Sequence, residues 1–385
     1  MRILLINYEY PPVGAGAATA SQQIARALVS QGHSATVLTT RFGSLVGTSD
    51  EEGVRVIRLN SRRARRESAS ITEMISYVIQ ASRVVRKIIR DERIDGIIAF
   101  FSIPGGPVAR WAHRGTRVPY LVSLRGGDVP GAEPGLGLIH RALAPVRRGI
   151  LRGARAVVAN SVGLKTLSEK TDAVPVHVVT NGVDTAFFAP SSEPRVATEP
   201  FRLLFVGRFQ PQKNLLWLLD RVAEVKGQVD RPLTLDLVGD GPQRPALLAK
   251  TKALGLDEIV RFHPWQDRAA LRAYYRAVDL VINPSLYEGM PNVVLEAMAC
   301  GRPVLASRVP GNESVVVDGV TGSLFSLEDA AGFREAVLHL VREPATADAL
   351  GVAARARAER EYSWARTARS YLELFGSPRP VSTLA

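Results

Sequence analysis

Short apolar runs alternate with stretches of helical spacing along the first half of the chain. RILLIN (Arg2–Asn7) is followed by a helical pattern over Ala18–Gln31, and then by the apolar run Ser34–Thr40. This strand–helix–strand order is typical of a βαβ unit. Five further strands are predicted at Val54–Leu59, Gly96–Phe101, Tyr120–Leu124, Ala156–Asn160 and Val176–Thr180. The alternation predicts an α/β fold with a parallel sheet covered on both faces.

A second series of strands begins after residue 200. Its predicted members are Arg202–Val206, Leu233–Val238, Ile259–His263, Leu280–Asn283 and Pro303–Ala306. The intervening stretch AFFAPSSEPRVATEP is rich in Pro, Ser and Ala and is predicted to be a linker. A chain of 385 residues is long for a single core. We therefore predict domains over residues 1–188 and 189–365, followed by a final helix over 366–385. The two doubly wound domains should face each other across a central cleft with the carboxyl ends of their strands, which is where such sheets bind ligands.

The net charge of +12 predicts an anionic partner, which could be nucleotide phosphates, a membrane surface or nucleic acid; the alternative is a merely solvated surface. The cluster Arg62, Arg63, Arg65 and Arg66 precedes a helical stretch carrying Arg83, Arg86, Lys87 and Arg90. These cations favour a peripheral contact of the first domain with an anionic membrane. No apolar run approaches the ~18 residues that span a bilayer. The N-terminus lacks a signal-peptide pattern, so we expect a cytoplasmic protein, with the inner membrane face as its second location.

The segment Ser285–Gly301, SLYEGMPNVVLEAMACG, carries the most specific chemistry. Its proline predicts a helix that begins near Asn292. Backbone amides of Met290–Val293 would lie at the helix N-terminus, where anions bind. Glu288 precedes the helix and Glu296 lies within it. Carboxylates accept hydrogen bonds from sugar hydroxyls while amides hold phosphate, so the segment predicts a site for a hydroxyl-rich anion.

The longer string EGMPNVVLEAMACGRPVLAS resembles the signature of glycosyltransferase family 4, whose members are retaining enzymes of the GT-B fold. The resemblance implies a nucleoside-diphosphate sugar as donor substrate and no separate cofactor. It implies that Glu288 contacts the donor sugar and Glu296 the ribose hydroxyls. The donor-binding residues implied around the helix start are Gly289, Met290, Pro291, Asn292 and Val293. SWARTARSYLELFG near the C-terminus resembles the last helix of the family, which crosses back to the first domain.

Two cations open the second domain in VGRFQPQKNL. Arg208 follows a predicted strand and Lys213 stands at the start of the next helix. Arginine as a fork and lysine as a point charge can together neutralise a diphosphate. The pattern resembles the family's diphosphate clamp, so both residues are catalytic candidates.

Two motifs in the first domain follow predicted strands. Gly14 and Gly16 in VGAGAATA lie too far after the strand for a dinucleotide fingerprint, which weakens a nicotinamide interpretation. Their spacing resembles the family's glycine loop over the donor diphosphate. SLRGGDVPG is similar to a family segment with histidine before Gly-x-Asp, but Arg125 replaces that histidine. Asp128 is kept as a catalytic candidate and Arg125 as a donor contact; the alternative is a structural salt bridge between them.

Further donor contacts are expected from loops in the second domain. Gly239 and Gly241 follow a strand in VGDGPQRPAL, and His263 ends another strand in RFHPW, where loop packing is its alternative role. No His/Cys cluster has metal-ligand spacing and no Asp-x-Asp pair occurs, so no metal is expected. In TNGVD, Asn181–Gly182 predicts a turn with an architectural role.

The resemblance therefore implies an enzyme that transfers a hexose to an acceptor hydroxyl with retention of configuration, by a front-face mechanism. The expected acceptor is a carbohydrate, a lipid-linked molecule or a small molecule, in the synthesis of cell-surface polysaccharide, glycolipid or small glycosides; we expect no nucleic-acid partner. Two alternatives stay open: an NAD(P)-dependent oxidoreductase with two α/β domains, and a non-catalytic nucleotide- or anion-binding protein. The sequence does not identify the base, the sugar or the acceptor.

Overall fold

A computed structural model describes residues 1–14, 16–66, 69–132, 135–191, 200–229 and 231–376. Most of the predicted linker, residues 192–199, lies outside these ranges, as does the end of the chain from 377. The chain forms two compact units. The first comprises Met1–Gly182 and the C-terminal segment from Trp364, and the second comprises Val183–Ser363. This division falls a few residues before the predicted position at 188/189.

The first unit is built on an eight-stranded sheet of order β3-β4-β2-β1-β5-β6-β7-β8. Its strands are β1 (Arg2–Ile6), β2 (Ser34–Thr40), β3 (Gly47–Glu51), β4 (Val54–Leu59), β5 (Gly96–Phe100), β6 (Tyr120–Leu124), β7 (Ala156–Ala159) and β8 (Val176–Val178). All neighbouring strands are parallel except the β3–β4 pair. The central strands are buried on both faces, as their continuous apolar runs require.

Helices cover both faces of the first sheet. They are α1 (Gly16–Ser30), α2 (Ile71–Asp91), α3 (Gly106–Thr116), α4 (Gly137–Gly153), α5 (Val162–Asp172) and, after the second unit, α13 (Trp364–Gly376). Helices α1 and α13 share one apolar core with the sheet, whereas α2, α3, α4 and α5 share another. In α13, Tyr371 and Phe375 are buried in this first unit.

The second unit has a six-stranded parallel sheet of order β11-β10-β9-β12-β13-β14. Its strands are β9 (Phe201–Val206), β10 (Leu233–Val238), β11 (Val260–His263), β12 (Leu280–Asn283), β13 (Val304–Ser307) and β14 (Ser323–Phe325). Its helices are α6 (Leu215–Val225), α7 (Arg244–Ala253), α8 (Arg268–Ala277), α9 (Asn292–Ala299), α10 (Pro310–Glu313), α11 (Ala330–Arg342) and α12 (Pro344–Glu361).

The α/β fold with two Rossmann-like units is confirmed, and every predicted strand is present with ends shifted by two residues at most. Two strands escaped prediction. β3, with the sequence GTSDE, is a polar and largely exposed edge strand, so it lacks the apolar alternation that marks a strand. β14 is only three residues long. No helix within the described residues combines the length and apolarity needed to cross a bilayer.

Candidate functional site

The loops after β9 and β12 meet at the point where the strand order of the second sheet reverses. From β9 the chain adds β10 and β11 on one side, and from β12 it adds β13 and β14 on the other. The Leu286 amide donates to the Gln212 carbonyl oxygen at 2.8 Å, and Gln212 Nε2 donates to the Tyr287 carbonyl oxygen at 2.8 Å. A topological switch point is where open α/β sheets bind ligands. The two loops therefore lie at the switch point of the second sheet, where a ligand is expected to bind.

Lys213 and Glu288 form an ion pair between these two loops. Lys213 Nζ lies 2.5 Å from Glu288 Oε1, and the side chains are only 16% and 8% exposed. Lys213 ends the turn Pro211–Lys213, which precedes α6. Arg208 stands in the same loop, directly after Gly207, and its carbonyl oxygen accepts from the Gln210 amide. The structure thus places three sequence-predicted residues on facing loops, and joins two of them directly.

A network of buried polar side chains holds the Glu288 carboxylate in place. Ser285 Oγ lies 2.7 Å from Glu288 Oε1 and 2.8 Å from Asn283 Oδ1, so its single proton faces two acceptors. Asn283 Nδ2 donates to Asn312 Oδ1 at 3.0 Å, and Asn312 Nδ2 donates to Ser307. Ser285, Ser307 and Asn312 have no exposed surface. Buried hydrogen-bond networks fix side-chain positions, so residues of β12, β13 and α10 hold Ser285 and, through it, the Glu288 carboxylate.

Sequence reasoning missed this network. The signal that could have found it is the polar residue at the end of each apolar strand, Asn283 on β12 and Ser307 on β13. Gly311 is a second missed position, because a Cβ there would lie 2.5 Å from the Glu288 carbonyl oxygen. The first turn of α10 therefore lies directly against the Glu288 loop.

The predicted glycines Gly239 and Gly241 lie where two loop backbones come close together, with no room for a side chain between them. A Cβ on Gly239 would lie 2.0 Å from the Gly207 carbonyl oxygen, and a Cβ on Gly241 would lie 2.4 Å from that of Phe209. The Phe209 amide donates to the Asp240 carbonyl oxygen at 2.8 Å. These glycines therefore seat the loop after β10 against the loop that carries Arg208.

The helix predicted from Asn292 is α9, which begins at Asn292 and ends at Ala299, two residues before Gly301. Pro291 is its N-cap, and no side chain among the described residues caps it. Gly289 and Met290 lead into the helix, and Val293 lies in its first turn. Helix starts without a capping side chain present amides to anions.

Glu296 lies in the second turn of α9, where it accepts a hydrogen bond at 2.9 Å from the hydroxyl of the buried Tyr275. Burial raises the pKa of Glu296 to about 7, although Tyr275 and the charge of Arg268 oppose the shift. The side chain keeps part of its surface exposed. Its predicted ribose contact stays a prediction.

His263 is the last residue of β11, and its side chain contacts the neighbouring strand β10. Its Nε2 lies 2.6 Å from Asp236 Oδ1, and its ring lies 5.1 Å from that of Tyr274. These contacts fix the imidazole at the strand end. Its predicted donor contact stays a prediction.

In the first unit, the switch point lies between β1 and β5. The loops after these strands touch through Tyr8 and Phe101, whose ring centroids are 5.3 Å apart. Phe101 has a φ of 66°, which is uncommon for a bulky residue and was not predicted. Gly14 has a φ of 91°, and a Cβ there would lie 2.6 Å from the Glu9 carboxylate. Gly16 is the first residue of α1.

Arg125 and Asp128 lie in the loop after β6, but their side chains form no salt bridge with each other. Asp128 accepts hydrogen bonds from the amides of Ser102 (2.6 Å), Arg125 (2.9 Å) and Gly126 (3.2 Å), and burial raises its pKa. The Arg125 guanidinium donates instead to Asn181 Oδ1 at 2.7 Å and to the Tyr371 hydroxyl at 3.2 Å. The salt-bridge alternative was wrong because the carboxylate is committed to backbone amides.

The Arg125 guanidinium also lies 4.5 Å above the Phe100 ring. Arg125 is therefore anchored in the first unit between β5, the Asn181 turn and α13. Asn181 takes the architectural position that its Asn-Gly sequence indicates. The catalytic role of Asp128 and the donor contact of Arg125 stay predictions. Within the described residues, no group of three or more His, Cys, Asp and Glu side chains could hold a metal ion.

Comparison with known proteins supplies the family. The family model "Glycosyl transferase 4-like domain" matches residues 15–182, and the model "Glycosyl transferases group 1" matches residues 200–343. Alpha-maltose-1-phosphate synthase of Mycobacterium tuberculosis is 32% identical over 272 residues, covering 64% of this chain and 69% of that protein. The chain belongs to a glycosyltransferase family.

A second relative is also a glycosyltransferase by name, and two solved structures share the fold. D-inositol 3-phosphate glycosyltransferase of an Arthrobacter species is 31% identical over 283 residues, 70% of this chain. The alignment spans 65% of that relative, slightly under two thirds of its length. Sucrose-phosphate synthase from Thermosynechococcus elongatus has a TM-score of 0.85 at 23% identity, over 98% of both chains. Anabaena HepE in complex with UDP-glucose has a TM-score of 0.75 at 21% identity, over 98% of this chain and 99% of that one.

These likenesses confirm the GT-B fold that the glycosyltransferase resemblance implied. The two family models and the alpha-maltose-1-phosphate synthase relative favour glycosyl transfer over the nicotinamide-dependent oxidoreductase, which two α/β domains had left open.

Proposed function

We propose that this glycosyltransferase belongs to family 4 and moves a hexose from a nucleoside-diphosphate sugar to an acceptor hydroxyl with retention of configuration. The observation that carries the proposal is the Lys213–Glu288 pair at the switch point of the second sheet. It brings a cation suited to phosphate next to a carboxylate suited to sugar hydroxyls, beside the start of α9. A diphosphate and its attached sugar need these two chemistries at adjacent positions.

Lys213, Arg208 and the first turn of α9 would bind the diphosphate. An ammonium group carries three protons, so Lys213 can keep one hydrogen bond to Glu288 while it donates others to phosphate oxygens. Arg208 would add a second fixed cation from the same loop. During transfer, negative charge grows on the leaving diphosphate, and preorganised cations and amides stabilise that charge. Their positions are set before the donor binds, because both loops are tied to each other.

Glu288 would accept hydrogen bonds from the donor sugar, with Ser285 holding its carboxylate. In the transfer, the bond from the sugar's anomeric carbon to the phosphate oxygen breaks and a bond to the acceptor oxygen forms on the same face. The acceptor proton passes to an oxygen of the leaving diphosphate. This route needs no covalent nucleophile, and neither the donor nor the acceptor requires a separate cofactor.

The acceptor is a carbohydrate, a lipid-linked molecule or a small molecule. The names of two relatives support a small-molecule or carbohydrate acceptor, since one glycosylates D-inositol 3-phosphate and another makes alpha-maltose-1-phosphate. The complex of Anabaena HepE with UDP-glucose supports a nucleotide sugar as the donor.

Thermal-shift titration with UDP, GDP and ADP sugars is the first test. A ligand at a hundred times its Kd adds about 2.7 kcal/mol of stability, which is readily observed. The selected donor is then incubated with acceptors while release of nucleoside diphosphate is measured, and NMR of the product reads its anomeric configuration. Binding without release on any acceptor would favour the non-catalytic nucleotide-binding alternative. An inverted product would contradict retention.

A further inference from the structure

The exposed side of α2 carries a row of large aliphatic residues. Ile71, Ile75 and Ile79 are 59%, 52% and 46% exposed, and their spacing of four residues places them along one side of the helix. The opposite side of α2 buries Tyr77, Ala81, Val85 and Ile89 in the core of the first unit. Scattered apolar residues are normal on protein surfaces, but an ordered row on a helix already packed by its other face needs an explanation.

The second half of the same helix is basic. Arg83, Lys87 and Arg90 are exposed there. Arg86 lies 3.8 Å from the ring centroid of Trp111 on α3, and Trp111 is 46% exposed while its Nε1 donates to the Ser82 carbonyl oxygen. The aliphatic row is therefore continued by an exposed tryptophan and by cations.

Helix α4 repeats the arrangement. Leu138 and Val146 are 84% and 49% exposed, and Ala142 lies between them at the same four-residue spacing. Arg141, Arg148 and Arg152 occupy a neighbouring row, with spacings of seven and four residues, and all three are exposed. An aliphatic row and a basic row thus lie side by side on one helix.

The two helices belong to one face of the sheet. Helices α2, α3 and α4 pack in that order over the same core, and we call their exposed sides the α2–α4 face. The three helices contain ten Lys and Arg residues, of which Arg147 is buried in an ion pair with Asp172, against two Asp and Glu residues. On the other face of the sheet, α1 and α13 contain three against one. Much of the chain's net charge of +12 is therefore concentrated on the face that also exposes aliphatic side chains.

We propose that the α2–α4 face docks on an anionic lipid surface. Aliphatic and tryptophan side chains would enter the boundary between headgroups and acyl chains, while arginines and lysines contact the acidic headgroups. The combination selects this partner: a nucleic acid would use the cations but not the aliphatic rows, and a second copy of the chain would bring the same positive charge against itself. The proposal concerns binding alone and does not depend on the transfer reaction.

The basic loop before α2 contributes less to this face than its sequence indicates. The Arg63 side chain is only 1% exposed and lies 5.6 Å from the Tyr8 ring centroid. Arg66 Nε donates to the Pro12 carbonyl oxygen at 2.7 Å. Both side chains hold the loop after β1, so only Arg62 and Arg65 remain exposed from this cluster. The helices themselves carry the larger share of the surface charge.

Co-sedimentation with vesicles tests the proposal, using the full chain at low salt. Vesicles of phosphatidylcholine alone are compared with vesicles that also contain phosphatidylserine. Two double variants weaken the aliphatic row and the basic row separately, each by removing two of its three side chains: Ile75→Ser with Ile79→Ser, and Arg141→Gln with Arg152→Gln. The matched control, Arg261→Gln with Arg369→Gln, removes the same charge from exposed positions that belong to other elements, β11 of the second unit and α13. Thermal denaturation verifies that each variant is folded.

The wild-type chain should sediment with the anionic vesicles and remain in solution with the neutral ones. Each lost arginine should lower the partition coefficient about fivefold, and the pair roughly twenty-five-fold. The isoleucine pair should also lower it, whereas the control pair should lower it much less. Equal binding to both vesicle types would overturn the proposal, as would a control pair as damaging as Arg141→Gln with Arg152→Gln. Full lipid binding by the isoleucine variant, or a lipid-free dimer that this variant dissociates, would overturn it as well.

Discussion

Both units place a carboxylate and a cation in loops after parallel strands, yet they use these groups differently. In the second unit, Glu288 meets Lys213 from another loop, and the pair lies at the switch point of the sheet. In the first unit, Asp128 binds three backbone amides, and Arg125 extends to Asn181 and Tyr371. A carboxylate that binds the amides of its own loop fixes the conformation of that loop. A carboxylate that pairs with a cation from a facing loop can exchange the cation for a ligand.

The distinction has an energetic basis. The Asp128 carboxylate accepts hydrogen bonds from three backbone amides. A substrate that took their place would leave these amides without their acceptor, which would be costly in free energy. The Lys213–Glu288 pair can reorganise at smaller cost, because a phosphate and sugar hydroxyls supply the same kinds of partner. The strongest tests of this comparison therefore change one residue of each arrangement.

The largest effect is expected from Lys213→Ala. Loss of a charge-assisted hydrogen bond typically costs about 1.5–3 kcal/mol, or roughly ten- to a hundredfold in affinity. Calorimetry should show this loss for free nucleoside diphosphate, because the phosphate keeps its charge whether or not sugar is attached. Glu288→Ala should leave nucleoside diphosphate affinity nearly intact while reducing transfer, since it removes a sugar contact and leaves Lys213 available to phosphate.

Lys250→Ala is the matched control, because Lys250 also pairs with a carboxylate of the second unit, Asp220, at 2.6 Å. It should change neither nucleotide affinity nor turnover. If folded Glu288→Ala lost nucleotide binding as severely as Lys213→Ala, the division between phosphate clamp and sugar contact would be wrong.

Asp128→Asn tests the first unit. An asparagine has one acceptor oxygen, so its NH₂ group would face a backbone amide that then lacks an acceptor. We therefore expect the free energy of unfolding to fall by about 1–3 kcal/mol in chemical denaturation. Nucleoside diphosphate affinity should stay within the error of wild type. The exposed pair of Asp91 with Lys87 provides the control, where Asp91→Asn should cost less than about 1 kcal/mol. Unchanged stability in Asp128→Asn together with lost turnover would instead support a direct catalytic role.

The strands were predictable because each depends on a local apolar run, whereas the strand order and its switch points came only from the structure. β9, β10 and β12 are each marked by an apolar run, and Asn292 was correctly predicted to begin a helix. The partners of side chains were not predictable. Lys213 and Glu288 are 75 residues apart, and Arg125 and Tyr371 are 246 apart. Such contacts depend on how loops fold over the finished sheet, which neither spacing nor composition encodes.

Ser285→Ala should produce a smaller, selective effect on turnover. It removes a hydroxyl 2.7 Å from the Glu288 carboxylate, and such a hydrogen bond is worth about 1 kcal/mol, or roughly fivefold. Because the hydroxyl positions Glu288 and does not touch phosphate, kcat should fall while nucleoside diphosphate affinity remains. Ser30→Ala, which removes a local hydrogen bond at the end of α1, controls for the substitution itself. Equal loss of nucleotide binding and kcat would argue against a positioning role.

The smallest effect is a pH dependence of stability that comes from Glu296, the carboxylate within α9. Burial raises the pKa of Glu296 to about 7, whereas in the unfolded chain it should be near 4.5. The folded state therefore binds the proton more tightly, so this contribution to stability is fully present below about pH 4.5 and is lost as the pH rises through about 7.

Glu296→Gln keeps a neutral side chain at every pH and should remove this pH dependence of the free energy of unfolding. At pH 8 the variant should be more stable than wild type by on the order of 1 kcal/mol, and at pH 4 the two should be nearly equal, because the side chain is partly exposed and the full shift overstates the gain. Chemical denaturation at a series of pH values measures this difference, with the exposed Glu328→Gln as the control that should show no such trend. Parallel stability profiles for wild type and Glu296→Gln would show that the Glu296 carboxyl titrates at its ordinary pKa in the folded protein, and would contradict the prediction.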